Sequence, residues 1–97
     1  MAPTLLAEAT ISEGLEALDG WEREGDRIKR ELIFDDFLSA IAFINRVAPL
    51  AEAADHHPEL FNVYNRVELV LTTHDAGGLT AKDFDLAAAI DRVVQPS

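Results

Sequence analysis

Proton transfer near neutral pH calls for imidazole. The chain has three histidines, in two places. His56 and His57 are adjacent in Asp55-His56-His57-Pro58, and His74 closes a stretch with strand parity. The unperturbed pKa of imidazole lies nearest neutrality, so the ring both donates and accepts protons. His56 and His57 fall where a helix should end, and a helix C-terminus carries partial negative charge that favours the protonated ring. Glu52 lies one helical turn before His56, close enough to set a carboxylate beside it, and Asp55 adds a second acid. A cluster of this kind holds protons ready to donate.

Other chemistries fit less well. A histidine at a helix end is often a capping or surface residue. A metal site would draw on His56, His57, His74 and Glu52, but adjacent side chains on a helix diverge by about 100° and no HExxH spacing exists, so no metal is assigned. The absence of cysteine removes thiolate ligands, disulfides and thiol nucleophiles. Ser12, Ser39 and Ser97 lie in no nucleophile-elbow context, and Gly77-Gly78 lacks the Gly-Lys-Ser/Thr of a phosphate-cradling loop. Asp83, three residues after Thr80, reads as part of a capping box or as a site acid. Trp21, after Gly20, reads as a packing aromatic or as the wall for a planar ligand.

These residues need a scaffold, and composition bounds it. The 97 residues, 48% hydrophobic and 27% charged, amount to one small domain over 1–97, with 1–10 as a loosely held lead-in. So short a chain has a marginal core, which oligomerisation often supplements. Eight basic against eighteen acidic residues give a net charge of −10, which repels a phosphate backbone and disfavours direct nucleic-acid binding. No uninterrupted apolar run approaches the roughly 18 residues of a bilayer span. The first eight residues lack a basic segment, so no secretory signal is expected and a cytoplasmic protein is the default.

Ser12 reads as the N-cap of a short helix ending at Gly20. Trp21–Glu24 and Arg27–Phe34 flank the turn dipeptide Gly25-Asp26, as in a hairpin. Phe37, Leu38, Ile41, Ile44, Ala48 and Ala51 recur at helical steps after Asp35-Asp36, with Pro49 expected to kink the last turns and the end expected near Asp55. Phe61–Tyr64 and Arg66–His74 form a second strand pair around Asn65, with Val67, Leu69, Leu71 and Thr73 on the core face. Thr80 opens a last helix from Ala81 to about Val94. The expected fold is α+β: a two-layer domain of order α-β-β-α-β-β-α, with a four-stranded antiparallel sheet and helices packed on one face.

Glu52-Ala53-Ala54-Asp55-His56-His57-Pro58-Glu59, with Tyr64, Thr73-His74, Gly78-Leu79-Thr80 and Asp83 at their spacings, resembles the pterin-4a-carbinolamine dehydratase family over nearly the whole chain. The resemblance implies an α+β homo-oligomer, commonly a dimer of dimers. It implies a hydro-lyase that removes water from 4a-hydroxytetrahydropterin, the carbinolamine left by aromatic amino-acid hydroxylation, without metal or organic cofactor. It makes His56 and His74 the acid/base pair and gives His57 a part in binding and orienting the pterin. Glu52 and Asp55 would fix imidazole tautomers or contact the pterin ring, and Trp21 and Asp83 would line or support the pocket. Some animal members also act as dimerisation cofactors of a homeodomain transcription factor, and some distant relatives lack the histidines and assist assembly of other proteins, so a binding or scaffold role is the alternative. Leu60, where an aromatic is common, Ala53, in place of a frequent Lys, and Pro49 depart from the family's pattern.

Overall fold

A computed structural model describes residues 4–94. Its elements are α1 (Glu8–Ala17), β1 (Glu22–Glu24), β2 (Arg27–Ile33), α2 (Phe37–Ala54), β3 (Glu59–Val63), β4 (Arg66–Leu71) and α3 (Ala81–Val94). The four strands form one antiparallel sheet in the order β1-β2-β4-β3. The expected class and element order are both found.

The two central strands explain the layering. Ile28 pairs with Leu71, Arg30 with Leu69 and Leu32 with Val67, and these side chains share one face by parity. Ile28, Val67, Leu69 and Leu71 are buried there against the Ala40, Phe43, Val47 and Ala51 face of α2 and the Leu86, Ala87 and Ile90 face of α3. On the opposite face Lys29, Glu31, Arg66 and Glu68 alternate with the core residues. Arg66 meets Glu31 at 2.8 Å and Lys29 meets Glu24 at 2.7 Å, so ion pairs cross the open face of the sheet. By length and composition α2 could cross a membrane. Its apolar stripe packs on the sheet, however, and Ser39, Asn45, Arg46 and Glu52 break its run of apolar residues.

Several boundaries differ from those expected. α1 starts at Glu8, one turn before Ser12, so part of the supposed lead-in is helical. Its N-cap is Ala7, which makes no side-chain bond, and nothing local in the sequence marks the start. Tertiary contacts hold it instead. Ile11 is buried, the Leu6 amide donates to the Leu79 carbonyl at 3.0 Å, and Gly14 faces the Phe84 ring so closely that a Cβ would stand 2.7 Å from it. α2 runs unbroken past the exposed Pro49 to Ala54. β4 ends at Leu71, three residues short of His74.

The start of α2 is as the sequence suggests. Asp36 is extended, and its carboxylate accepts the Ser39 amide at 2.8 Å. That bond holds the Asp36 carboxyl below its usual value. A depressed folded pKa stabilises fully above the unfolded value, and the contribution is lost as pH falls through the folded one. Asp36→Ala should therefore melt at a lower temperature than the wild type at neutral pH, with the gap closing as pH drops below the carboxylate range. Thermal unfolding followed by circular dichroism over a pH series measures this. A gap that persists in acid would mean that the cap bond is not its source.

Candidate active site

The C-terminus of α2 decides where the two adjacent histidines go. Asp55 takes the left-handed conformation, φ 50°, and its amide donates back to Glu52 at 3.1 Å. The His56 amide donates to the Ala51 carbonyl at 3.1 Å. Together these bonds form a Schellman ending with aspartate in the place usually held by glycine. Pro58 then keeps His57 out of the helical region. The reversal separates the two rings. His56 turns inward, 8% exposed, while His57 stays in solvent.

His56 Nε2 lies 2.6 Å from Asp83 Oδ1. Asp83 is fully buried in the first turn of α3. Its Oδ2 accepts the Thr80 amide at 2.9 Å and the Thr73 hydroxyl at 2.8 Å. The Thr80 hydroxyl oxygen accepts the Lys82 amide at 3.2 Å, so the capping box forms as expected. Outside, His57 Nε2 lies 2.9 Å from Glu52 Oε1.

After β4 the chain makes a tight loop closed by pairing of Thr73 with Gly78. The Thr73 amide donates to the Gly78 carbonyl at 3.0 Å, and the Gly77 amide to the Thr73 carbonyl at 3.0 Å. Gly77 has φ 79°, where a side chain would strain the turn. The loop exposes His74 opposite the end of α2. Between them lies an open cleft of about 260 Å³, lined by Asp55, His56, His57, Thr72, Thr73, His74, Asp75 and Lys82. All three histidines of the chain meet there.

A larger hollow of about 400 Å³ lies beside the N-terminal half of α2, bounded by Phe34, Asp35, Arg46 and Val94 among others. It holds no group that titrates near neutrality, so the smaller cleft is the candidate for proton chemistry. Among the described residues, no three His, Asp or Glu side chains converge as a metal ion would require.

Comparison with known proteins bears on this cleft. The family model for pterin 4 alpha carbinolamine dehydratase matches residues 4–93. The chain belongs to that family. A relative from Thermomicrobium roseum, whose provisional name is pterin-4-alpha-carbinolamine dehydratase, is 54% identical over 84% of this chain and 88% of its own length. A similarly named protein from Roseiflexus castenholzii is 53% identical over 93% of this chain and 97% of its own. A crystal structure from Brucella melitensis, described as a transcriptional coactivator/pterin dehydratase, is 40% identical with a TM-score of 0.89, covering 93% of this chain and 98% of that one. A pterin dehydratase-like protein, described as a RuBisCO assembly factor of the alpha-carboxysome, shares the fold at TM-score 0.68 and 21% identity, over 81% of this chain and 94% of that one.

Of the residues that the resemblance to this dehydratase family implied, the cleft gathers His56, His57, His74 and Asp55. Glu52 and Asp83 bond to its imidazoles. One pairing differs from expectation. Glu52 reaches His57 and not His56, because Asp55 leaves the helix before the one-turn spacing is complete. Trp21 is the other correction. It is 6% exposed, sits in the core rather than in the cleft, and its indole N–H donates to Asp91 Oδ1 at 2.8 Å. Asp91 also pairs with the buried Arg30 at 2.5 Å, so this aromatic serves the junction of β2 and α3. By strand parity Thr73 reads as a core-face residue, and that parity is the one local hint of its bond to Asp83.

The two imidazole–carboxylate pairs should differ sharply in what they hold together. His56→Ala takes a partner from a fully buried carboxylate, which costs about 1–3 kcal/mol. His57→Ala breaks a solvent-exposed pair and should change stability by less than about 0.5 kcal/mol. Urea unfolding of both variants checks the contrast, and equal losses would contradict it.

Proposed function

We propose that this chain catalyses dehydration of 4a-hydroxytetrahydropterin to quinonoid dihydropterin by histidine acid/base catalysis, without metal or organic cofactor. The reaction breaks the C4a–O bond, the departing oxygen takes a proton and leaves as water, and loss of the N5 proton completes the C4a–N5 double bond. Both proton transfers suit groups that titrate near neutrality, each contributing roughly 10²–10⁴-fold. The observation that carries the proposal is the convergence of His56, His57 and His74 on one cleft in a chain of this family.

His56 and His74 form the acid/base pair in this proposal. His57, steadied by Glu52, orients the pterin, and Asp55 at the rim contacts its ring. Asp83 holds His56 from behind. The chain works as one cytoplasmic domain and recycles the product of an aromatic amino-acid hydroxylase. It assembles as a homodimer or homotetramer, for which exposed Leu60, Phe61, Val63 and Tyr64 on and beside the edge strand β3 offer apolar surface.

The alternative is a binding or assembly role without catalysis, and the same exposed edge favours it. Stopped-flow decay of freshly generated 4a-hydroxytetrahydropterin separates the two. The wild type should accelerate the decay, and His74→Ala should lose about 10²-fold or more of that acceleration while keeping its fold. A well-folded wild type that leaves the decay unchanged would reject the dehydratase and turn attention to a protein partner.

A further inference from the structure

Asp83 Oδ2 has two donors, the Thr73 hydroxyl and the Thr80 amide. The Thr73 hydroxyl also lies 2.7 Å from the Thr80 hydroxyl. A hydroxyl has one proton to give. Because that of Thr73 goes to the carboxylate, Thr80 must donate to Thr73. The Thr80 oxygen is in turn met by the donor-only Lys82 amide. Every proton in this buried chain thus points one way, from the α3 amides through Thr80 and Thr73 to Asp83. An oxygen met by two donors acts as an acceptor only and carries no proton of its own. The second Asp83 oxygen, 2.6 Å from His56 Nε2, then faces an N–H.

His56 Nδ1 makes no hydrogen bond, yet among the described residues no buried side-chain nitrogen or oxygen lacks a partner. This nitrogen therefore reaches the cleft that His56 lines. The structure assigns Thr73 as a positioning residue: by orienting Asp83 so that Oδ1 accepts from the ring, it fixes the His56 proton on Nε2 and makes Nδ1 the atom that gains or loses a proton toward the substrate. Asp55, His57, His74, Asp75 and Lys82 also face the cleft. None of them takes the place of Asp83 at His56 Nε2.

The first test needs no variant. Long-range proton–nitrogen spectra of the 15N-labelled full chain, with His56 assigned through its loss in His56→Gln, follow both ring nitrogens over a pH titration. Nε2 should stay in the protonated range throughout while Nδ1 alone moves. A wild-type ring that averages both tautomers, or carries its neutral-state proton on Nδ1, overturns the assignment. In Thr73→Val the two nitrogens should average. kcat should fall about 10- to 100-fold, part of what an acid–base group contributes, with KM little changed. Thr73→Ser should restore both readouts. A Thr73→Val protein with wild-type spectra and kcat also overturns the assignment. Should that variant not fold, Thr73→Ala removes the same hydroxyl with a smaller side chain, and it should shift the spectra the same way. Wild-type spectra in Thr73→Ala count against the assignment.

The turnover measurement rests on the proposed dehydratase, whereas the nitrogen spectra do not. A wild type that fixes the tautomer without dehydrating the pterin removes the activity alone. One that dehydrates with a freely averaging ring removes the positioning role alone.

Discussion

A carboxylate without solvent must have its charge met by protein, and Asp83 is the point on which this molecule closes. It is fully buried, and the cost of burying an unpaired charge is far greater than a domain of this size could absorb. Its partners come from three parts of the chain: His56 after α2, Thr73 after β4, and the Thr80 amide at the start of α3. None of these segments can move far without exposing or orphaning the charge. The bonds that make the burial tolerable are the bonds that aim His56 at the cleft. Here the fold and the site share the same bonds.

α3 is fastened in a similar way near its other end. Asp91 accepts from Arg30 and from the Trp21 indole, both buried, and receives the Asp19 amide at 3.2 Å. Between the two acids Leu86, Ala87 and Ile90 pack into the core. Hydrophobic burial brings α3 onto the sheet, but it is non-directional. The two carboxylates supply direction, fixing how α3 is placed along its axis. That placement sets Asp83 within hydrogen-bond reach of His56.

Much of this is local, and the local part is legible in the sequence. Parity placed Val67, Leu69, Leu71 and Thr73 on the core face of β4, helical spacing found α2, and Thr80 with Asp83 marked the start of α3. The parts that escape are tertiary. α1 starts where no side chain caps it, because Ile11 and the Gly14–Phe84 contact determine its position. The Glu52–His56 pairing fails because one left-handed residue, Asp55, changes the spacing rule at the helix end. Trp21 reads as either a wall or a packing residue, and only its partner, seventy positions away on α3, decides between them. Asp83 reads in the sequence as a cap or as a site acid. Its two oxygens divide between those places: Oδ2 caps α3 and Oδ1 meets His56.

The cleft that results is mechanically uneven. His56 is walled in, with one nitrogen committed to a buried carboxylate, whereas His74 stands on a surface loop whose side chain has no hydrogen-bond partner among the described residues. A reaction that gives up one proton and takes up another needs both kinds of group. The fixed ring offers its free nitrogen in a constant direction, which suits transfer to or from a positioned substrate. In the proposed dehydration the exposed ring, open to water, would reset the charge of the site between turnovers. The loop that carries His74 is nevertheless short and closed by the Thr73–Gly78 pairing, so its exposure is combined with a nearly fixed backbone. Thr73 belongs to both halves of this arrangement: its backbone closes the His74 loop, and its hydroxyl reaches the carboxylate behind His56. A change of its side chain would release the carboxylate behind His56 and leave the backbone pairing of the His74 loop in place.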